Sequence, residues 1–172
     1  MSYRSIGVVM SRLVYVDYEK MRRRLEKLIR EEKNVKKKVE YQILLIQLVN
    51  GARISEAYDS YYKWVQEPNK REVFITVRKK KKKVERHIFI PEVVEPINIR
   101  VHINSVIRAC RRDLGVNTHS LRYAFITYMS VKHHLPFQLI AKITKHSKPD
   151  LIEYYTHEII AKKIHKEIVF KR

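Results

Sequence analysis

His119 and Arg122 stand three residues apart in the stretch HSLR. On a helix, positions i and i+3 share a face, so both side chains can reach one anionic target. Two other segments carry residues suited to the same target. GARISEAY places Arg53 just past an apolar run, and KHSKPDLIEYYTH supplies His146 and, nine residues later, Tyr155.

Composition narrows the anion. Thirty-seven Lys and Arg against 18 Asp and Glu give a formal charge of +19 in 172 residues, which favours a polyanionic partner, nucleic acid ahead of a membrane. No apolar run approaches the length of a transmembrane helix, and the first residues lack the apolar core and cleavage site of a signal peptide. Cys110 is the only cysteine. It excludes an intrachain disulfide and a multi-cysteine zinc site, and it fits a reducing, cytoplasmic setting. With 45% hydrophobic residues the chain can fill the core of one compact domain. Abundant Lys, Arg and Ile with scarce Gln suit a thermophile and an AT-rich genome equally.

These residues need elements to position them. Residues 18–32 put Met21, Leu25, Leu28 and Ile29 on one side behind Asp17 as N-cap, which predicts an amphipathic helix. Asn34 breaks that pattern. VEYQILLIQLVN predicts a helix buried at the centre of the domain, with Asn50-Gly51 as its stop and a new helix starting near Ile54. EVFITVRKKKKKVERHIFIP predicts a hairpin, strands 72–77 and 84–90 around a basic turn, closed by Pro91. Helical periodicity returns over 101–114 up to Gly115, Thr118 is placed to cap the HSLR helix, and Pro136 suits the first turn of the next. A short segment at 150–155 and a last helix at 158–170, with Ile160, Ile164 and Ile168 on one face, complete a mainly α fold with a small antiparallel sheet.

Taken in order, Arg-x-x-Glu, lysines on a hairpin, His-x-x-Arg, His and Tyr-Thr-His resemble the catalytic domain of tyrosine recombinases, the phage-type integrases, over residues 39–157. The resemblance implies the tyrosine recombinase fold and cleavage and rejoining of duplex DNA through a covalent 3′-phosphotyrosine, without metal or other cofactor. Attack on a phosphodiester builds a crowded, more highly charged phosphorane, so cationic donors held in place stabilise the transition state. Arg53 and Arg122 match the family's two arginines, whose forks grip the non-bridging oxygens. His119 would accept or donate a proton, His146 would hydrogen-bond the same phosphate, and Tyr155 would be the nucleophile. In the family a hairpin lysine protonates the departing 5′-oxygen. Counting back from Arg86 selects Lys81 for that role, with Lys82 next, and leaves Arg78, Lys79, Lys80, Lys82, Lys83 and Arg86 as DNA-binding residues.

The resemblance further implies a homo-oligomer, a tetramer on DNA and a monomer possible when free, acting on the DNA of a host cell. Short integrases of archaeal viruses or mobile elements are the nearest likeness. Residues 1–172 then form a single catalytic domain, 1–16 a linker remnant and 158–172 a C-terminal helix suited to a neighbouring subunit or to its own core. The family usually carries an N-terminal DNA-clamping domain, and with fewer than about 40 residues before the matched region the resemblance implies either an excised catalytic domain or a minimal enzyme without it. One departure falls in Thr144-Lys145-His146, where the family usually has Gly before His.

Other readings stay open on residue type alone. Arg53 could pair with Glu56 at i+3 on the surface. His119 could merely begin a helix, and Tyr155 has Tyr154 beside it among 11 tyrosines. The run 78–83 could be a solvated turn. His133-His134 diverge on a helix and lack a suitably spaced carboxylate for a metal, and the aromatics of YDSYYKW suit packing better than base stacking. Two alternatives stand beside this reading: DNA relaxation of the type IB topoisomerase kind, which shares the catalytic set, and a degenerate, non-catalytic DNA-binding module.

Overall fold

Asp17 accepts a hydrogen bond from the Lys20 backbone N–H at 3.0 Å and so begins α1, Tyr18–Glu31. Met21, Leu25 and Ile29 of this helix are buried, as their spacing requires. The computed structural model describes residues 13–79 and 82–170. Asn34, which interrupts the first apolar pattern, caps α2, Val35–Asn50, by accepting from Lys37 N–H. Ile43, Leu44, Leu45, Ile46 and Leu48 are fully buried, so α2 is the central helix of the domain. It ends at Gly51, whose φ of +56° lies in the left-handed region and whose missing side chain leaves room for the Phe125 ring.

The next helix, α3, Ile54–Gln66, opens with Glu56 at its third position. The Glu56 carboxylate accepts the Arg53 backbone N–H at 2.9 Å, one half of a capping box. Tyr61 and Trp64 are buried. The Tyr62 hydroxyl accepts from Val101 N–H at 2.8 Å, and Tyr58 donates to Val101 O at 2.7 Å, fastening the irregular stretch before the next helix. The YDSYYKW aromatics thus pack and tether.

Strands β1, Glu72–Lys79, and β2, Lys82–Phe89, pair antiparallel with Val73 opposite Ile88, Ile75 opposite Arg86 and Lys79 opposite Lys82. The strands run further into the basic stretch than the sequence suggests, and Lys82 and Lys83 are exposed strand residues. The Asn50 side chain donates to Phe89 O at 2.8 Å and accepts from Phe89 N–H at 2.9 Å, clipping the hairpin to the end of α2.

Helix α4, Ile103–Ala109, begins two residues later than periodicity indicates, because His102 caps it through Nδ1, and it runs on as a π-helical turn, Cys110–Leu114, ended by Gly115. The cap of α5, Thr118–Val131, is Asn117 rather than Thr118: its side chain accepts from Ser120 N–H at 2.9 Å, and Thr118 is the first helical residue. Pro136 occupies the cap position of α6, Phe137–Thr144.

The short segment at 150–155 and the last helix merge into one helix, α7, Pro149–Phe170. No Gly or Pro interrupts residues 150–170, and Ile152, Thr156 and Ile159 form one inward stripe at i, i+4 and i+7. Ile160, Ile164 and Ile168 do not form a buried face; Ile164 and Ile168 are 49% and 70% exposed. No helix among the described residues is long and apolar enough to cross a membrane. The seven α-helices and one two-stranded sheet make the described chain mainly α.

Candidate active site

The candidate residues lie at element ends, where backbone groups are left to bind side chains. Arg53 follows the left-handed stop of α2, His119 and Arg122 lie in the first turns of α5, and His146 follows the end of α6. Arg53, His119 and Arg122 line one depression with Gln47, Ile54, Ser55 and Thr118. The i, i+3 spacing in HSLR therefore does bring both side chains to one place.

Arg122 is 2% exposed and is held from three directions. Its Nη1 donates to Gly51 O at 3.0 Å and its Nη2 to Thr144 O at 3.1 Å, while Glu56 Oε2 lies 3.6 Å from Nη1. The same Nη2 is 3.0 Å from His146 Nε2. Thr144 Oγ1 donates to Ile140 O at 2.8 Å and lies 2.6 Å from His146 Nδ1. A hydroxyl has one proton, so the Nδ1 nitrogen carries the proton of that second bond, while Arg122 Nη2, also 3.1 Å from Nδ1, lies against both ring nitrogens rather than in line with one lone pair.

Lys145 stands where a glycine would ordinarily end α6. It adopts φ +56°, ψ +38°, the left-handed cap conformation, and reverses the chain so that His146 N–H reaches Ala141 O at 2.9 Å. The departure in sequence leaves the geometry of the turn intact and places the strain on a lysine.

Two residues prove more central than sequence reasoning made them. Glu56 is 5% exposed and meets three guanidinium groups: Arg53 Nη1 at 2.7 Å, Arg86 Nη1 in a short contact, and Arg122. Burial acts to raise its pKa, but Arg86, the Arg53 N–H and Arg122 together outweigh it, and the carboxyl is held below the usual carboxylate range. The surface pairing of Arg53 with Glu56 is thus half true: Arg53 is 42% exposed, but its partner is buried.

Arg86, expected among the DNA-facing residues, is 1% exposed and turned into the core. Its Nη2 donates to Asn50 O at 2.6 Å and its Nη1 contacts Glu56 and Thr144 O. It ties the ends of α2 and α6 to the start of α3. A signal for this was present: Arg86 is in phase with Val84, Ile88 and Ile90 along an alternating strand, and that phase faces the core.

Three guanidinium groups against one carboxylate leave the pocket with an excess positive charge. Burial first, then the Arg53 charge, push the Arg122 guanidinium down to about 9 despite Glu56, so it stays charged at neutral pH and shares its one carboxylate with Arg53 and Arg86. Desolvation, then Arg122 and Arg53, lower the His119 pKa below its ordinary value, so His119 is a neutral proton acceptor near pH 7.

Tyr155 is half-buried on α7 beside the inward stripe, and its ring meets the ring of Tyr123 edge-on at 5.9 Å. Tyr123 in turn lies 6.5 Å from the His146 ring. Tyr154 is 55% exposed and packs only on Tyr155 among the aromatic contacts of the described residues. Lys80 and Lys81 lie outside the described residues, as do the side chains of Arg78 and Lys79. Among the described residues no three His, Cys, Asp or Glu converge as a metal site.

The chain is similar to two curated proteins. It is 36% identical to "Putative integrase ORF241" of Acidianus two-tailed virus over 128 residues, 66% of this chain and 49% of that protein. It is 51% identical to an uncharacterised protein of Methanocaldococcus jannaschii over 57 residues, 33% of this chain and 25% of that one. The matches thus span about half or less of the relatives' lengths. No family model and no solved structure matches.

Proposed function

We propose that this chain is the catalytic part of an archaeal-type tyrosine recombinase, an integrase that cuts and rejoins duplex DNA. The observation that carries the reading is the cationic pocket: Arg53, Arg122 and neutral His119 around one hollow, with His146 against Arg122 and Tyr155 one ring away. The viral relative's name supports the integrase part of it.

Scissile phosphate would enter the hollow, where Arg53 and Arg122 donate to its non-bridging oxygens. Charge-assisted hydrogen bonds of this kind contribute about 1.5–3 kcal/mol each. Tyr155 Oη attacks phosphorus and loses its proton to a base, for which His119 has the right protonation state. The P–O5′ bond breaks as the P–O(Tyr) bond forms, and the 5′-oxygen takes a proton from a hairpin lysine, Lys81 in the first instance. The phosphotyrosine retains the bond energy needed for religation. Assembly as a tetramer on the DNA of a host cell belongs to the same reading, with Lys79, Lys80, Lys82, Lys83 and Arg78 as contacts to the backbone.

The test is incubation with a nicked suicide duplex and, since the site is unidentified, with supercoiled plasmid in parallel, in EDTA, followed by denaturing electrophoresis and peptide mapping. A DNA adduct on Tyr155, absent from Tyr155→Phe at unchanged DNA affinity, is the expected result. Shifted DNA without an adduct on either substrate would identify a binding module instead.

A further inference from the structure

We propose that Tyr123 is a positioning residue that holds the Tyr155 side chain over the phosphate pocket by the edge of its ring; this rests on the reading of Tyr155 as nucleophile. Helix α5 presents His119, Arg122 and Tyr123 at i, i+3 and i+4, one continuous stripe. The first two line the hollow. The third, 8% exposed, makes ring contacts with two other candidate groups, with Tyr155 at 5.9 Å and an interplanar angle of 87°, and with His146 at 6.5 Å and 58°.

Aromatic rings favour such edge-to-face contacts at centroid separations of about 4.5–7 Å, because the positive edge of one meets the negative face of the other. The contact restrains the Tyr155 ring from a second helix, beside the 5.7 Å edge-on contact that Tyr154 of α7 itself makes with it. One helix then sets both the grip on phosphate, through Arg122, and the approach of the attacking oxygen, through Tyr123. Tyr123 does not compete for the nucleophile's role. Burial, and after it the nearby Tyr155, outweigh the Arg122 charge and push its phenol up to about 12, so it keeps its proton. Its part is geometric, and a misplacement of about 1 Å at a reacting atom can cost on the order of a hundredfold in rate.

The experiment compares the wild-type chain with Tyr123→Phe, Tyr123→Leu and Tyr123→Met, each checked for a cooperative thermal transition. Three quantities are read: DNA affinity by fluorescence anisotropy, single-turnover adduct formation at saturating protein, and Tyr155 ring signals by NMR of protein carrying 13C-labelled tyrosine rings. Tyr123→Phe keeps the ring edge and should form adduct within about threefold of wild type. Leu and Met should slow it by about tenfold or more at unchanged affinity, and the Tyr155 ring signals should average toward those of a freely turning ring. Met fills the space if Leu unfolds the domain. Adduct formation by Leu or Met within threefold of wild type overturns the proposal, and so does a Phe variant as slow as they are, which would transfer the role to the hydroxyl. If wild-type protein forms no adduct, the reading of the function fails by itself, and the ring signals decide: a Tyr155 ring unchanged in the Leu and Met variants overturns the positioning role.

Discussion

Replacing Glu56 by Gln keeps the side chain's shape and removes the single negative charge among three guanidinium groups. Arg53 is 42% exposed, so its ion pair with Glu56 contributes little. Arg86 and Arg122, at 1% and 2% exposure, cannot turn to water. Removing one partner of a buried charge pair costs about 3–5 kcal/mol, and the amide would also present an N–H to groups that only donate. Against a domain stability of about 5–15 kcal/mol, this is a third or more of the total. The Glu56 carboxyl titrates below its ordinary value of 4.5 in the folded chain. Its contribution is therefore complete above that value and is lost as pH falls through the lowered one. Urea unfolding followed by circular dichroism should show the full deficit of Glu56→Gln at pH 7, and the two proteins should converge as acidification carries the pH below the lowered folded-state value. Sulfate should recover more stability in the variant than in the wild type by binding the uncompensated cations. Equal midpoints at pH 7, or a deficit that persists undiminished in acid, would refute the assignment of Glu56 as the charge that holds the pocket.

Arg122→Lys should lower single-turnover cleavage at least tenfold while DNA affinity changes little, since one ammonium cannot replace a fork that bonds Gly51 O and Thr144 O together; wild-type rates would make Arg122 dispensable. Lys145→Gly should stabilise the domain by about 0.5–1 kcal/mol in the same urea assay, because a left-handed cap suits glycine; a loss of stability would contradict the strain argument. With subsaturating DNA, the acid limb of the cleavage rate should have its midpoint below 6.5, where neutral His119 gains its proton, and His119→Gln should abolish that limb; a midpoint above 6.5 would count against His119 as the base.

Much of this arrangement is legible in the sequence where a local rule acts alone. Asp17, Asn34 and Gly51 mark ends through capping and backbone geometry, and the apolar run of α2 identifies the central helix. The ordered set Arg53, His119, Arg122, His146, Tyr155 is readable because each residue occupies the end or face of a recognisable element. Legibility fails where a neighbour decides. Asn117 outcompetes Thr118 for the cap through its longer acceptor arm. The step from Tyr155 to Glu158 reads as a boundary by periodicity, yet Thr156 packs inward and carries the helix across it. Arg86 looks like one more cation of a basic run, and only the strand phase, together with the Glu56 carboxylate arriving from α3, takes it inside. The αL turn at Lys145 is invisible because its usual marker, glycine, is missing.

The Thr144 carbonyl has a consequence for the order in which the molecule is made. Both Arg86 and Arg122 converge on this oxygen, and their other acceptors, Asn50 O and Gly51 O, come from nearly a hundred residues earlier in the chain. During synthesis the two guanidinium groups emerge well before residue 144, so a nascent chain can carry every arginine of the pocket while Arg86 and Arg122 still lack the acceptor they share. Contacts so distant in sequence form late. A ribosome-bound fragment that stops short of residue 144 therefore has the charge to cling to nucleic acid before its pocket is closed, and the site matures only after that residue has been made.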